Sequence, residues 1–220
     1  MTWDKLWPLL LQGTQDTLYM TFWSTLFAYI IGLPLGILLV ITKKNGIIPK
    51  PLFNSILGTI INFLRSIPFI ILLAMLFPVT RIVMGTSIGT HSVIFPLLIS
   101  AFPFVARMVE GSLEEVDSGV LEAAQSMGAT NFQVIFKVLL PEAVPSLVTG
   151  AAITITTILA YTAMASAAGG GGLGAIAITK GYQSRNMEIL YCASLALVVL
   201  VQIITVSGTR LTAWFDHRKK

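Results

Sequence analysis

Five stretches of the chain, near 17–41, 58–77, 88–106, 146–168 and 189–213, are each apolar over the length of a membrane span. A hydrocarbon layer about 30 Å thick takes roughly 20 residues of helix to cross, and within it every backbone N–H and C=O must find its partner inside the protein. The architecture expected is therefore an all-α integral membrane protein with five transmembrane helices. Composition agrees, since 55% hydrophobic and 11% charged residues leave too little polar surface for a soluble domain of 220 residues. Pro34, Pro68 and Pro96 fall inside these stretches. Helices in lipid accept proline as a kink, and such kinks serve either packing or the lining of a cavity.

Loop charge orients the spans, because short cytoplasmic loops are enriched in Lys and Arg. One set of sides collects Lys43, Lys44, Lys50, Arg107, Lys137, Arg210, Arg218, Lys219 and Lys220, and the other collects Lys5, Arg81, Lys180 and Arg185. Nine against four, with Arg65 inside the second span, puts the N-terminus outside and the C-terminus in the cytoplasm. The expected organisation is an external segment 1–13, a transmembrane unit 14–213 with a cytoplasmic loop near 107–145, and a tail 214–220. The start of the chain pairs Asp4 with Lys5 and shows no small-residue cleavage site, so no removable signal peptide is expected. The net charge of +4 is scattered without aromatic interleaving, which argues for juxtamembrane anchoring in the bilayer and against nucleic acid. Cys192, the single cysteine, lies in an apolar run where a thiol acts as a small hydrophobe. Five spans do not divide into equal halves and no internal repeat is visible, so a translocation path is expected between two copies of the chain. Small residues, as in "TAMASAAGGGGLGAIA", allow helices in lipid to approach closely.

The cytoplasmic loop contains the most structured polar sequence in the chain. Asp117, Ser118 or Gly119 caps a helix whose Val120, Ala123, Ala124 and Met127 share one side, with Glu122 expected in its first turn. Gly128 then supplies a left-handed terminus. Thr130 with Gln133 forms a capping-box pattern that starts a second helix. Phe132, Ile135, Phe136 and Leu139 give that helix an apolar stripe, and Pro141 favours an end at Leu140. The product is two short rods joined by a fixed elbow, a form suited to passing motion between a soluble partner and the spans.

These residues carry a specific resemblance. Glu122, Ala123 and Ala124, then Gly128, then Val138 and Leu140-Pro141, follow the cytoplasmic loop motif of ABC importer permeases, with Val138 where the motif has isoleucine. "FLRSIPFIILL", "GTSIG", "PFVARMVEGSLEEV", "KVLLPEAVPSLV" and "GGGGLGAIA" extend the likeness over nearly the whole chain, and the sequence resembles the methionine-uptake branch of that family. The resemblance implies a type I ABC importer permease fold in the bacterial inner membrane. It implies a coupling surface at Glu122, Ala123, Ala124, Gly128, Ala129, Thr130, Leu140 and Pro141, inserted into a cleft of a separate ATP-binding subunit. It further implies a homodimer, two ATP-binding subunits, an extracytoplasmic methionine-binding lipoprotein, transport of D- and L-methionine, and no cofactor or enzymatic chemistry in this chain. Methionine itself follows from the resemblance and from nothing in composition or spacing.

Other residues carry weaker readings. Arg65 and Ser66 in the second span, with Met75, Tyr161 and Met164, are candidates for a gate or pathway, against snorkelling for the arginine and plain packing for the rest. "GGGGLG" lacks the Lys and Ser or Thr of a phosphate loop and reads as a flexible or re-entrant connection, or as a packing cluster. His91 and His217 lie on opposite sides in this topology and make no metal or general-base pair. Glu110, Glu114, Glu115 and Asp117 are expected on a solvated cytoplasmic face. The rival functions are a permease for another small amino acid and an ion-coupled secondary carrier. The carrier would need intramembrane acids or broken-helix ion sites.

Overall fold

A computed structural model describes residues 3–215. Among them the long helices are α1 (Trp3–Ile41), α4 (Ile94–Glu114), α8 (Val144–Met164) and α10 (Met187–Phe215), each apolar and long enough to cross a membrane. The N-terminal segment is part of α1: the helix starts at Trp3 and runs 39 residues, about 58 Å at 1.5 Å per residue. His217 and the basic residues that follow it lie outside the described residues.

The stretch read as a single second span is two helices, α2 (Pro51–Arg65) and α3 (Phe69–Met84), bent by 100° where they meet. Ser66 closes α2 by donating both its N–H and its hydroxyl to the Asn62 carbonyl, at 3.0 and 2.8 Å. Pro68 has no N–H to continue the ladder and disfavours helical geometry at Ile67, so the chain turns there. Pro34 stays inside continuous α1, and Pro96 falls in the first turn of α4 where its missing N–H costs nothing.

The core forms where α1, α4 and α8 pack together. Gly32 and Gly36, four residues apart on α1, face α4 so closely that a Cβ would lie 2.7 Å from the Cβ of Val105 and 2.6 Å from that of Val109. This is the small-residue packing that lets helix backbones meet without a hydrophobic driving force. Tyr19 near the start of α4 and Lys43 near its end show that α1 and α4 run in the same direction. Chain direction thus sends the C-terminal ends of α1 and α4 and the start of α8 to one end of the bundle.

At the opposite end, the glycine-rich segment is packed. The Gly171 N–H donates to Thr90 Oγ1 at 3.2 Å and the Leu173 N–H to Thr17 Oγ1 at 2.9 Å. After it, α9 (Leu173–Ala175) and a π-helical segment (Ile176–Gln183) pack against the first turns of α1 and α10, with Leu173, Gly174, Ala175, Ile176 and Ala177 buried. Gly174 lies against Ala163 of α8 with no room for a side chain. Of the forms open to the glycine-rich stretch, it takes that of a packing cluster held by tertiary contacts, and not that of a flexible connection.

Candidate functional site

The elbow is built by local hydrogen bonds. Asp117, in an extended conformation, accepts from the Gly119 N–H at 2.6 Å and caps α5 (Ser118–Ser126). Glu122 falls in the second turn of α5, not the first, because the cap is Asp117 and not the residues after it. Its charge therefore sits beyond the terminal turn within which the helix dipole acts. Gly128 adopts φ +83°, a left-handed conformation that side chains other than glycine reach with strain. Its N–H donates to the Gln125 carbonyl at 2.9 Å, and the Ala129 N–H reaches back to the Ala124 carbonyl at 3.2 Å. Space around Gly128 is open, so the constraint there is backbone conformation alone. Thr130 then accepts from the Gln133 N–H at 3.3 Å while its own N–H donates to Gln133 Oε1 at 2.9 Å, a complete capping box.

The second rod differs from expectation. α6 (Asn131–Gln133) continues through a π-helical segment, Val134–Leu139, into α7 (Leu140–Glu142), so the helix does not end at Leu140. In the π segment the Leu140 N–H bonds to the Ile135 carbonyl, five residues back. The wider turn accommodates Pro141, whose missing N–H would end an ordinary α-helix near this point. The apolar stripe is split between two sides. Val134, Ile135 and Leu139 are buried, with Ile135 and Leu139 packed among Ile41, Val116 and Ala143, whereas Phe132 and Phe136 point outward at 67% and 50% exposure. The two outward rings lie 4.4 Å apart between centroids. Val120 and Met127, the latter 83% exposed, are further outward apolar residues of the same knob, which also carries exposed Glu122 and Lys137.

Of the coupling residues read from the sequence, Ala124 is buried, Ala129 and Leu140 are half-buried, and Glu122, Ala123, Gly128, Thr130 and Pro141 are exposed. All belong to this knob. The pathway candidates do not form one cluster. Arg65 ends α2 at the bend, and its guanidinium stands 5.9 Å from the centroid of Phe104. Ser66 is spent on closing α2. Tyr161 is stacked on Phe69 just past the bend, with centroids 4.8 Å apart and rings nearly parallel. Met164 and Met75 are exposed on α8 and α3.

Glu110 is buried inside α4 and not part of a solvated acidic face. Its two carboxylate oxygens pair with Lys43 Nζ at 3.1 Å and Arg107 Nη1 at 2.5 Å. Its signal in the sequence is an arginine and a glutamate three residues apart, a spacing that pairs them only when the segment from Arg107 onward is helix and not loop. Gly32 and Gly36, four residues apart in an apolar helix, carry the corresponding sequence signal for close approach to α4. His91, exposed at the far end, shares a 3.0 Å hydrogen bond between its Nδ1 and the Tyr19 hydroxyl.

The family model described as binding-protein-dependent transport system inner membrane component matches residues 32–220. The chain is 46% identical to the probable D-methionine transport system permease protein of Pasteurella multocida, over 97% of this chain and 99% of that one. It is 43% identical to the methionine import system permease protein of Bacillus subtilis, over 94% and 93% respectively. Among solved structures, a chain of the MetNI methionine ABC transporter in an inward-facing conformation superposes with a TM-score of 0.95 at 44% identity, covering 99% of this chain and 100% of that one. A crystal structure of an amino acid ABC transporter shares the fold, with a TM-score of 0.74 at 20% identity. The chain belongs to the family of binding-protein-dependent transport system inner membrane components.

Proposed function

We propose that this chain is the membrane permease of an ATP-driven methionine importer, working as a homodimer with two copies of a separate ATP-binding subunit. An external methionine-binding lipoprotein delivers the substrate. In this reading the N-terminus is outside the bacterial inner membrane and the knob faces the cytoplasm, as the excess of basic loop residues supports. The knob enters a cleft of the ATP-binding subunit. Closure of the ATPase pair on ATP then carries the knob with it and shifts the bundles between two packings, the driving force being the differential affinity of ATP for the closed state. The permease performs no chemistry.

The observation that carries this reading is the knob itself: a fixed left-handed joint at Gly128, a capping box at Thr130 and exposed apolar side chains at Met127, Phe132 and Phe136. Exposed apolar surface on a rigid element marks a protein contact, and it falls on the motif shared with ABC importer permeases. Methionine as cargo is supported by the full-length likeness to methionine permeases. An ion-coupled carrier finds no support in the buried acid, because both oxygens of Glu110 are already paired.

Reconstitution with the ATP-binding subunit and the binding lipoprotein tests the proposal. Methionine accumulation should require ATP and both partners. Uptake driven by an ion gradient without the ATPase would overturn it, and ATP-dependent uptake of another amino acid in preference to methionine would correct the cargo.

A further inference from the structure

We propose that Arg107 is a positioning residue that transmits movement of the knob to the bent α2–α3 pair, with Glu110 holding it in place. This inference rests on the coupling reading above.

The knob joins α4 across Glu115, Val116 and Asp117, and Val116 is buried in the same core as Ile135 and Leu139 of the second rod. The end of α4 and the knob are therefore packed as one body. Arg107 lies less than two turns from the end of α4, half-buried. Its Nη1 donates to Glu110, and its Nη2 crosses to α2 and donates to the Gly58 carbonyl at 2.9 Å. Gly58 leaves space for this approach, since a Cβ there would stand 3.2 Å from Nη2. Glu110 is held from its other side by Lys43, at the end of α1, and Lys43 also pairs with Glu114.

The geometry suits transmission for a physical reason. Apolar side chains such as Ile61, Leu39 and Ala106, which pack α2 against α1 and α4, can slide past one another. The bond from the half-buried guanidinium to the Gly58 carbonyl is directional and charge-assisted, and Glu110 holds the guanidinium on α4, so sliding α2 past α4 breaks that bond and one register is favoured. Arginine's planar fork reaches a carboxylate and a carbonyl at once, which a lysine ammonium on the same stem does not reproduce. α2 then leads into the Ser66–Pro68 bend and α3, so a displacement of α4 is delivered to the bend.

The test is uptake per ATP hydrolysed in reconstituted complex. R107K keeps the charge and its attraction to Glu110 but loses the simultaneous reach to Gly58. It should assemble with the ATPase and hydrolyse ATP, while uptake per ATP falls about 3- to 30-fold. G58A, which displaces the guanidinium without altering charge, should lower the same ratio to a smaller extent. Unchanged uptake per ATP in both variants would overturn the proposal. Should R107K fail to assemble, G58A alone decides. Should neither assemble, spin labels at Ile56 on α2 and exposed Ser118 on α5, in the chain with Cys192 replaced by alanine, decide. A separation that stays constant between nucleotide states supports transmission as one body, and a separation that changes contradicts it. Failure of the underlying coupling reading looks different, since the unaltered chain would then show no ATP-dependent uptake at all.

Discussion

At the knob end of the bundle, Asp117, Ala129 and Thr130 make hydrogen bonds that span two to five residues; at the opposite end, Gly171 and Leu173 hang from Thr90 and Thr17, 81 and 156 residues away. Glycine serves both ends in opposite ways. Gly128 is required for its φ of +83° in open space, whereas Gly174 is required because Ala163 leaves no volume. A local device of the first kind keeps its shape when the body around it moves, which suits a part that is pushed by a partner. A packed segment of the second kind holds only while the rest of the fold is assembled, so damage there should appear as lost stability before lost function.

That contrast orders the expected effects. Gly174→Val should be the most severe, forcing α9 away from α8 at the upper part of the roughly 1–3 kcal/mol range for overpacking. The yield of folded protein in detergent should drop and thermal unfolding should move down; normal unfolding would mean that the far end is not held by close packing. Gly128→Val should cost about 1–3 kcal/mol locally, as a β-branched residue in the left-handed region does. Here the bundle should unfold nearly as before while ATP-dependent uptake or assembly with the ATPase is lost. A large fall in bundle stability with intact coupling would reverse the comparison.

Smaller effects sharpen it. Thr17→Val removes the hydroxyl that accepts the buried Leu173 N–H and should lower stability by about 1–2 kcal/mol, without a specific change in uptake per ATP. Thr130→Ala removes one arm of the capping box and should cost about 1 kcal/mol, confined to the second rod. Hydrogen exchange is the measure for this pair. Faster exchange should spread across α9 and its neighbours in the first variant and stay within residues 130–135 in the second.

The same division explains what the sequence made legible. The cap at Asp117, the left-handed Gly128 and the Thr130–Gln133 box depend on residues within a few positions of one another, so their spacing predicts them. The π segment Val134–Leu139 is less local, because its widened turns are stabilised by burying Val134, Ile135 and Leu139 against the bundle. Proline chemistry alone therefore placed the end of the rod too early. Pro68, Pro34 and Pro96 look alike in sequence, yet one sits at a 100° bend, one rides inside a continuous helix and one starts a helix. Ser66 and its bonds to Asn62 distinguish the first case. Long-range partners hid the rest. Arg107 could not be paired with Gly58, nor Lys43 with Glu110, until α1, α2 and α4 were side by side.

The central claim is that the knob is the surface engaged by the ATP-binding subunit. Site-directed crosslinking tests it most directly. With half-buried Cys192 replaced by alanine, single cysteines are introduced at Met127 and Phe132 on the knob and at exposed Tyr182 on the opposite end. The account predicts that Met127→Cys and Phe132→Cys crosslink to the ATP-binding subunit in a nucleotide-dependent manner, and that Tyr182→Cys does not. Crosslinks to that subunit from Tyr182→Cys, with none from the knob, would contradict it.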